Sequence, residues 1–149
     1  MKVVINDTFG GFSLSHQGVM RYAELKGIKL FPWVDDMTAK IYGKDFGFDD
    51  VPWLHYTTVP KEEYEAIQEG GEQKPVGVGR FAKLNKLYFS FRDIPRTDPD
   101  LIKVIREMGA KANGKCAKLK IINIPEDIEY TIEEYDGLEH IAEKHMTWR

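Results

Sequence analysis

The sequence predicts an α/β chain of the α+β kind: a mixed sheet with two main helices, an irregular middle insertion and a C-terminal β-hairpin, in a single domain over residues 1–149. Three observations carry this reading. The apolar run KVVIN near the start leads into a helical pattern, and a second helical pattern near residue 100 leads into the run LKIIN. The chain then closes on two alternating segments around Asp136-Gly137, a dipeptide that suits a two-residue hairpin turn. At 149 residues, a chain of this kind buries a sizeable core without disulfides.

The elements follow in order. Lys2 to Asn6 reads as a strand. Ser15 caps a helix over His16 to Lys26, Leu14 and Val19 have the spacing of a hydrophobic staple, and Gly27 stops it. Ile28 to Val34 is a second strand. From Asp35 to Lys83 the pattern weakens among prolines, glycines and aromatic residues, and only Lys61 to Gln68 reads as a short helix. Asn85 to Arg92, NKLYFSFR, alternates like a strand. Asp98 then caps a helix with Pro99 in its first turn, an apolar stripe of Leu101, Ile102, Ile105, Met108 and Ala112, and Asn113-Gly114 as its stop. Ala117 to Ile124 is a strand, and Glu129 to Tyr135 with Leu138 to Met146 forms the hairpin. Its turn sets Glu134 opposite Glu139, Glu133 opposite His140 and Ile132 opposite Ile141.

Two segments invite a functional reading. In TFGGFSLSHQG, the Gly10-Gly11 pair and two serines stand between a strand and a helix, where exposed backbone amides and a partial positive charge attract an anion. Neither a GxGxxG nor a GxxxxGK[ST] pattern is present, so the loop is either a plain turn or a weaker anion site. The segment RDIPRTD, Arg92 to Asp98, again joins a strand end to a helix start. Were the strands parallel neighbours, both loops would share the carboxyl edge of the sheet, where open α/β sheets bind ligands. Arg92 and Arg96 would then hold phosphate or carboxylate, with Asp7, Gly10, Gly11, Ser13, Ser15 and Asp93 completing the site. The plainer alternative has Arg96 pairing with a nearby aspartate on the surface.

Other residues carry less. His140 and His145 lie five apart, about 140° around a helix, which excludes the two-histidine zinc pattern. Glu133 and His140 form either an acid/base pair or a solvated cross-strand ion pair. Tyr42, Phe46, Phe48, Trp53 and Tyr56 crowd the middle segment, as stacking platforms, anchors for a protein partner or a satellite core. The glycines of residues 70–80 have the density of a mobile flap. Cys116 is the single cysteine, so no intramolecular disulfide or cysteine-based metal site is expected. No metal and no cofactor is expected.

The 21 basic and 24 acidic residues leave a net charge of −3, which argues against a binder that works by neutralising nucleic-acid phosphates. No run approaches the length of a membrane span, and the apolar stretch after Met1-Lys2 is too short for a signal core, so a cytoplasmic protein is expected.

GGFSLS after the first strand, RTDPDL at the second main helix, AKLKIINIP and EEYDGLEHIAEKHMTW together make the chain resemble a group of small uncharacterised proteins encoded by phages, prophages and some bacteria. The resemblance covers both ends of the chain. Its relatives tend to carry Tyr where this chain has Phe9. It implies no catalytic residues; it does imply the setting of a phage anti-defence factor, acting in the cytoplasm of the host. In that setting the expected function is sequestration of a small anionic, nucleotide-like signalling molecule. A protein–protein inhibitor of a host enzyme, working through the aromatic middle segment, is the second expectation. A hydrolase or lyase acting on a nucleotide through Glu133, His140 or Asp7 is the third. A homodimer is the expected assembly.

Overall fold

The computed structural model describes residues 1–43, 47–51, 53–69 and 86–144. These form an α+β fold with four α-helices and seven strands, and the strands pair antiparallel throughout. Three separate antiparallel sheets take the place of the one mixed sheet expected. The chain divides into two compact units, Met1–Lys26 with Ile94–Arg149, and Gly27–Asp93.

In the first unit, β1 (Lys2–Asn6) pairs with β5 (Leu119–Asn123), from Lys2 opposite Asn123 to Asn6 opposite Leu119. Val3 and Val4 are fully buried. Helix α1 (His16–Lys26) packs on α4 (Pro99–Met108), which buries Leu101, Ile102, Val104 and Ile105. Leu14 and Val19, the expected staple, are both buried. Helix α4 ends earlier than the apolar stripe suggests. Gly109, at φ +58°, turns the chain into a 3-10 turn over Gly109–Ala112, so Ala112 joins the core from that turn. The hairpin, β6 (Tyr130–Tyr135) and β7 (Leu138–Glu143), has the expected register, with Ile132 opposite Ile141, Glu133 opposite His140 and Glu134 opposite Glu139. Asp136 and Gly137 both have positive φ, 50° and 87°, as a type I′ turn demands.

In the second unit, β2 (Phe31–Trp33), β3 (His55–Thr57) and β4 (Tyr88–Phe89) make a three-stranded sheet with β3 in the middle. Strands β2 and β4 are shorter than expected, and β3 was not expected. Pro32 stands inside β2, which lies at the sheet's edge, where a missing N–H is tolerated. Phe91–Asp93 is a 3-10 turn, which ends the expected strand early. Helix α3 (Lys61–Glu69) is where the sequence places it, whereas α2 (Asp36–Tyr42) was not expected. Its signal is Asp35, whose carboxylate caps it by accepting the Thr38 amide at 2.7 Å. Asn85, Phe46, His145 and the glycine-rich residues 70–80 lie outside the described residues.

Candidate functional site

Antiparallel pairing of β1 with β5 changes what surrounds the glycine pair. The carboxyl end of β1 sits beside the start of β5, so the loop after β1 meets the segment that enters β5. The strand before Arg92, Tyr88–Phe89, pairs in another sheet, so the condition for the two loops to share the edge of one parallel sheet is not met. Gly10 has φ +115°, and a Cβ there would stand 2.8 Å from the Cβ of Cys116. Its amide donates to the Asp136 carbonyl at 3.1 Å, and a Cβ on Gly137 would collide with the amide nitrogen of Gly11. Two glycine turns thus lie against one another, with no room for a side chain on Gly137.

The serines are engaged in the same unit. The Ser15 hydroxyl accepts the Gly18 amide at 3.0 Å and donates to the Lys111 carbonyl at 2.6 Å, while the Ser15 amide donates to Ala112. The N-terminus of α1 is thus capped by its own serine and set against the 109–112 turn. The Ser13 carbonyl accepts the Gly114 amide, and the Asp7 amide donates to the Lys118 carbonyl.

Arg96 runs along the other edge of β1, where its carbonyl accepts the Val4 amide at 2.8 Å. Its guanidinium forks onto Glu139 at 2.7 and 2.9 Å, reaches the Val4 carbonyl at 3.2 Å and lies 3.7 Å from the centre of the Phe12 ring. Glu139 is only 5 % exposed and Arg96 20 %. The Asn6 amide adds a third bond to that carboxylate at 2.8 Å. Fully buried Asn6 meanwhile spends its side-chain amide on Thr8 and Gly137 and accepts from Lys118. Arg96 therefore serves as a partly buried tie between β1 and the hairpin, a role that its sequence position does not disclose.

A second polar knot joins α1 to α4. Asp98 caps α4 by accepting the Asp100 amide, and its other oxygen accepts from the Tyr22 hydroxyl at 2.8 Å and from Lys26 at 3.1 Å. Burial pushes the Asp98 carboxyl up, but these donors together hold it below its ordinary value. Burial and the Asp98 bond push the Tyr22 phenol up to about 12. Glu133 and His140 pair at 3.1 Å across the hairpin with both side chains more than half exposed, the geometry of a solvated ion pair.

The second unit gathers groups that sequence spacing could not. Trp33 pairs with His55, and Thr57 with Tyr88, so alternation puts all four on one face of the sheet. The Trp33 and His55 rings are 4.5 Å apart between centres, and Tyr64 from α3 lies 5.7 Å from Trp33 and 6.2 Å from Tyr88. The indole N–H donates to Thr57 at 2.9 Å, and the Lys61 ammonium stands 5.8 Å over the indole ring while bonded to Asp36 at 3.0 Å. His55 Nδ1 is 2.9 Å from the Tyr88 hydroxyl, and His55 Nε2 is 3.9 Å from an Asp35 carboxylate oxygen.

Arg92 and Asp93 belong to this unit. Among the described residues no carboxylate pairs with Arg92, an exposed residue whose charge acts on the Tyr88 phenol. Burial nevertheless pushes that phenol up, and it pushes Tyr64 up as well. The face so assembled offers ring surfaces, a phenol, an imidazole and the Lys61 ammonium, groups that hold a flat ligand bearing negative charge. The aromatic signal was visible in Tyr56 and Trp53, but Trp33, Tyr64 and Tyr88 come together only through strand pairing and the placing of α3.

Among the described residues, no group of three or more His, Cys, Asp or Glu side chains is set to hold a metal ion. No helix among them is long and apolar enough to cross a membrane. No family model, curated protein or solved structure matches the chain.

Proposed function

We propose that this protein binds a small anionic, nucleotide-like molecule and sequesters it, in the manner of a phage anti-defence factor. The ligand site is the ring face of the second unit rather than the Gly10-Gly11 loop. The observation that carries this reading is the half-exposed cluster of Trp33, His55, Tyr64 and Tyr88, and the charge of the exposed Arg92 acts on Tyr88 of that cluster. Stacking on an aromatic platform contributes about 1–3 kcal/mol per base, and a charge-assisted bond to phosphate adds direction. Arg96 takes no part, because its guanidinium is already committed to buried Glu139.

Calorimetric titration of the intact chain with a panel of mononucleotides, cyclic nucleotides and ADP-ribose derivatives tests the proposal. At least one is expected to bind, and Arg92→Ala to weaken that binding about tenfold or more while leaving thermal stability unchanged. If no member of the panel binds, the reading is lost.

Exposed side chains favour a second reading, a host protein as partner. Met37, Ile41 and Trp53 are each more than 70 % exposed, all in the second unit. Recovery of one dominant host protein by the wild-type chain, and its loss with Trp53→Ala, would favour this reading over a small ligand.

A further inference from the structure

The direction of the bond between His55 and Tyr88 follows from their neighbours. A hydroxyl can donate or accept, whereas a carboxylate only accepts. The Asp35 carboxyl is held below its ordinary value, first by the bond from the Thr38 amide, so it is anionic at neutral pH. Its oxygen lies 3.9 Å from His55 Nε2. In the neutral imidazole, a negative charge on that side of the ring favours the tautomer with the proton on Nε2. Nδ1 is then an acceptor, and the Tyr88 hydroxyl, 2.9 Å away, donates to it. Burial keeps Tyr88 a neutral phenol at neutral pH, so the proton is there to be donated. With that proton spent, the Tyr88 oxygen turns only lone pairs toward solvent.

We infer that the ring face selects ligands presenting a hydrogen-bond donor to the Tyr88 oxygen, such as the exocyclic amine of an adenine-type base, and disfavours bases with a carbonyl at the same place. The inference rests on the proposed ligand reading and narrows it. Trp33 and Tyr64 supply ring surface to any base, and Arg92 supplies charge to any phosphate, so neither separates one base from another. Tyr88 does, because a carbonyl facing its oxygen would leave two acceptors opposed.

Adenosine and inosine monophosphates test this directly, since they share ribose and phosphate and differ in amine against carbonyl on the base. The wild-type chain is expected to bind the adenosine form about tenfold or more tightly. Tyr88→Phe, which keeps the ring, is expected to lose that preference while still binding the inosine form. Equal affinities in the wild type, or an unchanged preference in Tyr88→Phe, overturn the inference and leave the ligand reading standing. Binding of neither overturns the inference. Nitrogen-15 NMR of the free protein checks its premise without any ligand: a protonated Nε2 and bare Nδ1 at His55 are expected, and a proton on Nδ1, in either the other tautomer or the imidazolium, overturns the inference.

Discussion

Arg96 and Glu139 illustrate how far a residue's role depends on what faces it. Removing the guanidinium strands a carboxylate that is 5 % exposed, and uncompensated buried charge is among the costliest defects a fold can carry. Arg96→Ala is therefore expected to destabilise the protein by about 3 kcal/mol in urea unfolding. Adding Glu139→Gln should recover part of that loss, because the amide needs no counter-charge. A double variant as unstable as the single one would contradict this account. Asp98 makes a prediction in pH. Its folded carboxyl lies below the unfolded value of about 3.9, so its contribution is present above that pH and is lost as pH falls through the folded value. Asp98→Asn keeps a capping oxygen but removes the charge, and should cost about 1–2 kcal/mol at neutral pH. The gap between wild type and variant should close as pH falls below about 4. On the alkaline side the signs reverse. Tyr22 and Lys26 have folded values raised above their ordinary ones, so their share is intact below about pH 10 and lost as pH rises through the folded values. A constant gap across pH 2–5 would show that the charge of Asp98 is not what matters.

Among the elements, the hairpin and the loop after β1 are bound by mutual need for glycine. Gly137 has φ +87°, and a side chain there would also strike the backbone of Gly10 and Gly11. Gly11 itself has φ +94° but open space where a Cβ would go. Gly11→Ala therefore meets backbone strain alone, whereas Gly137→Ala meets strain and collision. The first should cost about 1 kcal/mol and the second about 3. Hydrogen exchange should place the extra loss in β6 and β7, since the collision lifts the hairpin off β1. If the two variants are equally stable, the close approach of the turns is not a constraint. The strongly patterned elements were legible in advance. Ser15 and Gly27 bound α1, and Pro99 with the stripe behind it marks α4, because caps and 3.6-residue periodicity act within a few residues. The short strands of the second unit carry only two or three residues each, too few for a period to register, and α2 has just seven.

Over the whole molecule, the first unit is built from the two ends of the chain and the second from the middle. The ends of the first unit's pieces approach each other within that unit, as Lys26 bonds Asp98 and Asp100 at 3.1 and 2.9 Å. Replacing residues 27–93 by a short Gly/Ser linker should therefore leave the first unit able to fold, with a cooperative thermal transition and the α1 and α4 helical signal. A chain that stays unfolded would mean that the first unit needs the second. The variant should also have no affinity for any nucleotide that the intact protein binds, because the ring face goes with the excised segment.

By itself the sequence determined the α+β class, the positions of α1, α3 and α4, and the hairpin down to its register. Each of these is written in local signals, a cap, a period or an Asp-Gly turn, that need no distant partner to be read. Tertiary structure alone decided that β1 and β5 run antiparallel, and this moved the glycine loop against Cys116 and the hairpin turn. It also separated two arginines that look alike four residues apart: Arg96 is tied to Glu139, 43 residues away, while Arg92 stays exposed. Charge, stacking and burial act through space, so the partner that fixes a side chain's role can lie anywhere along the chain.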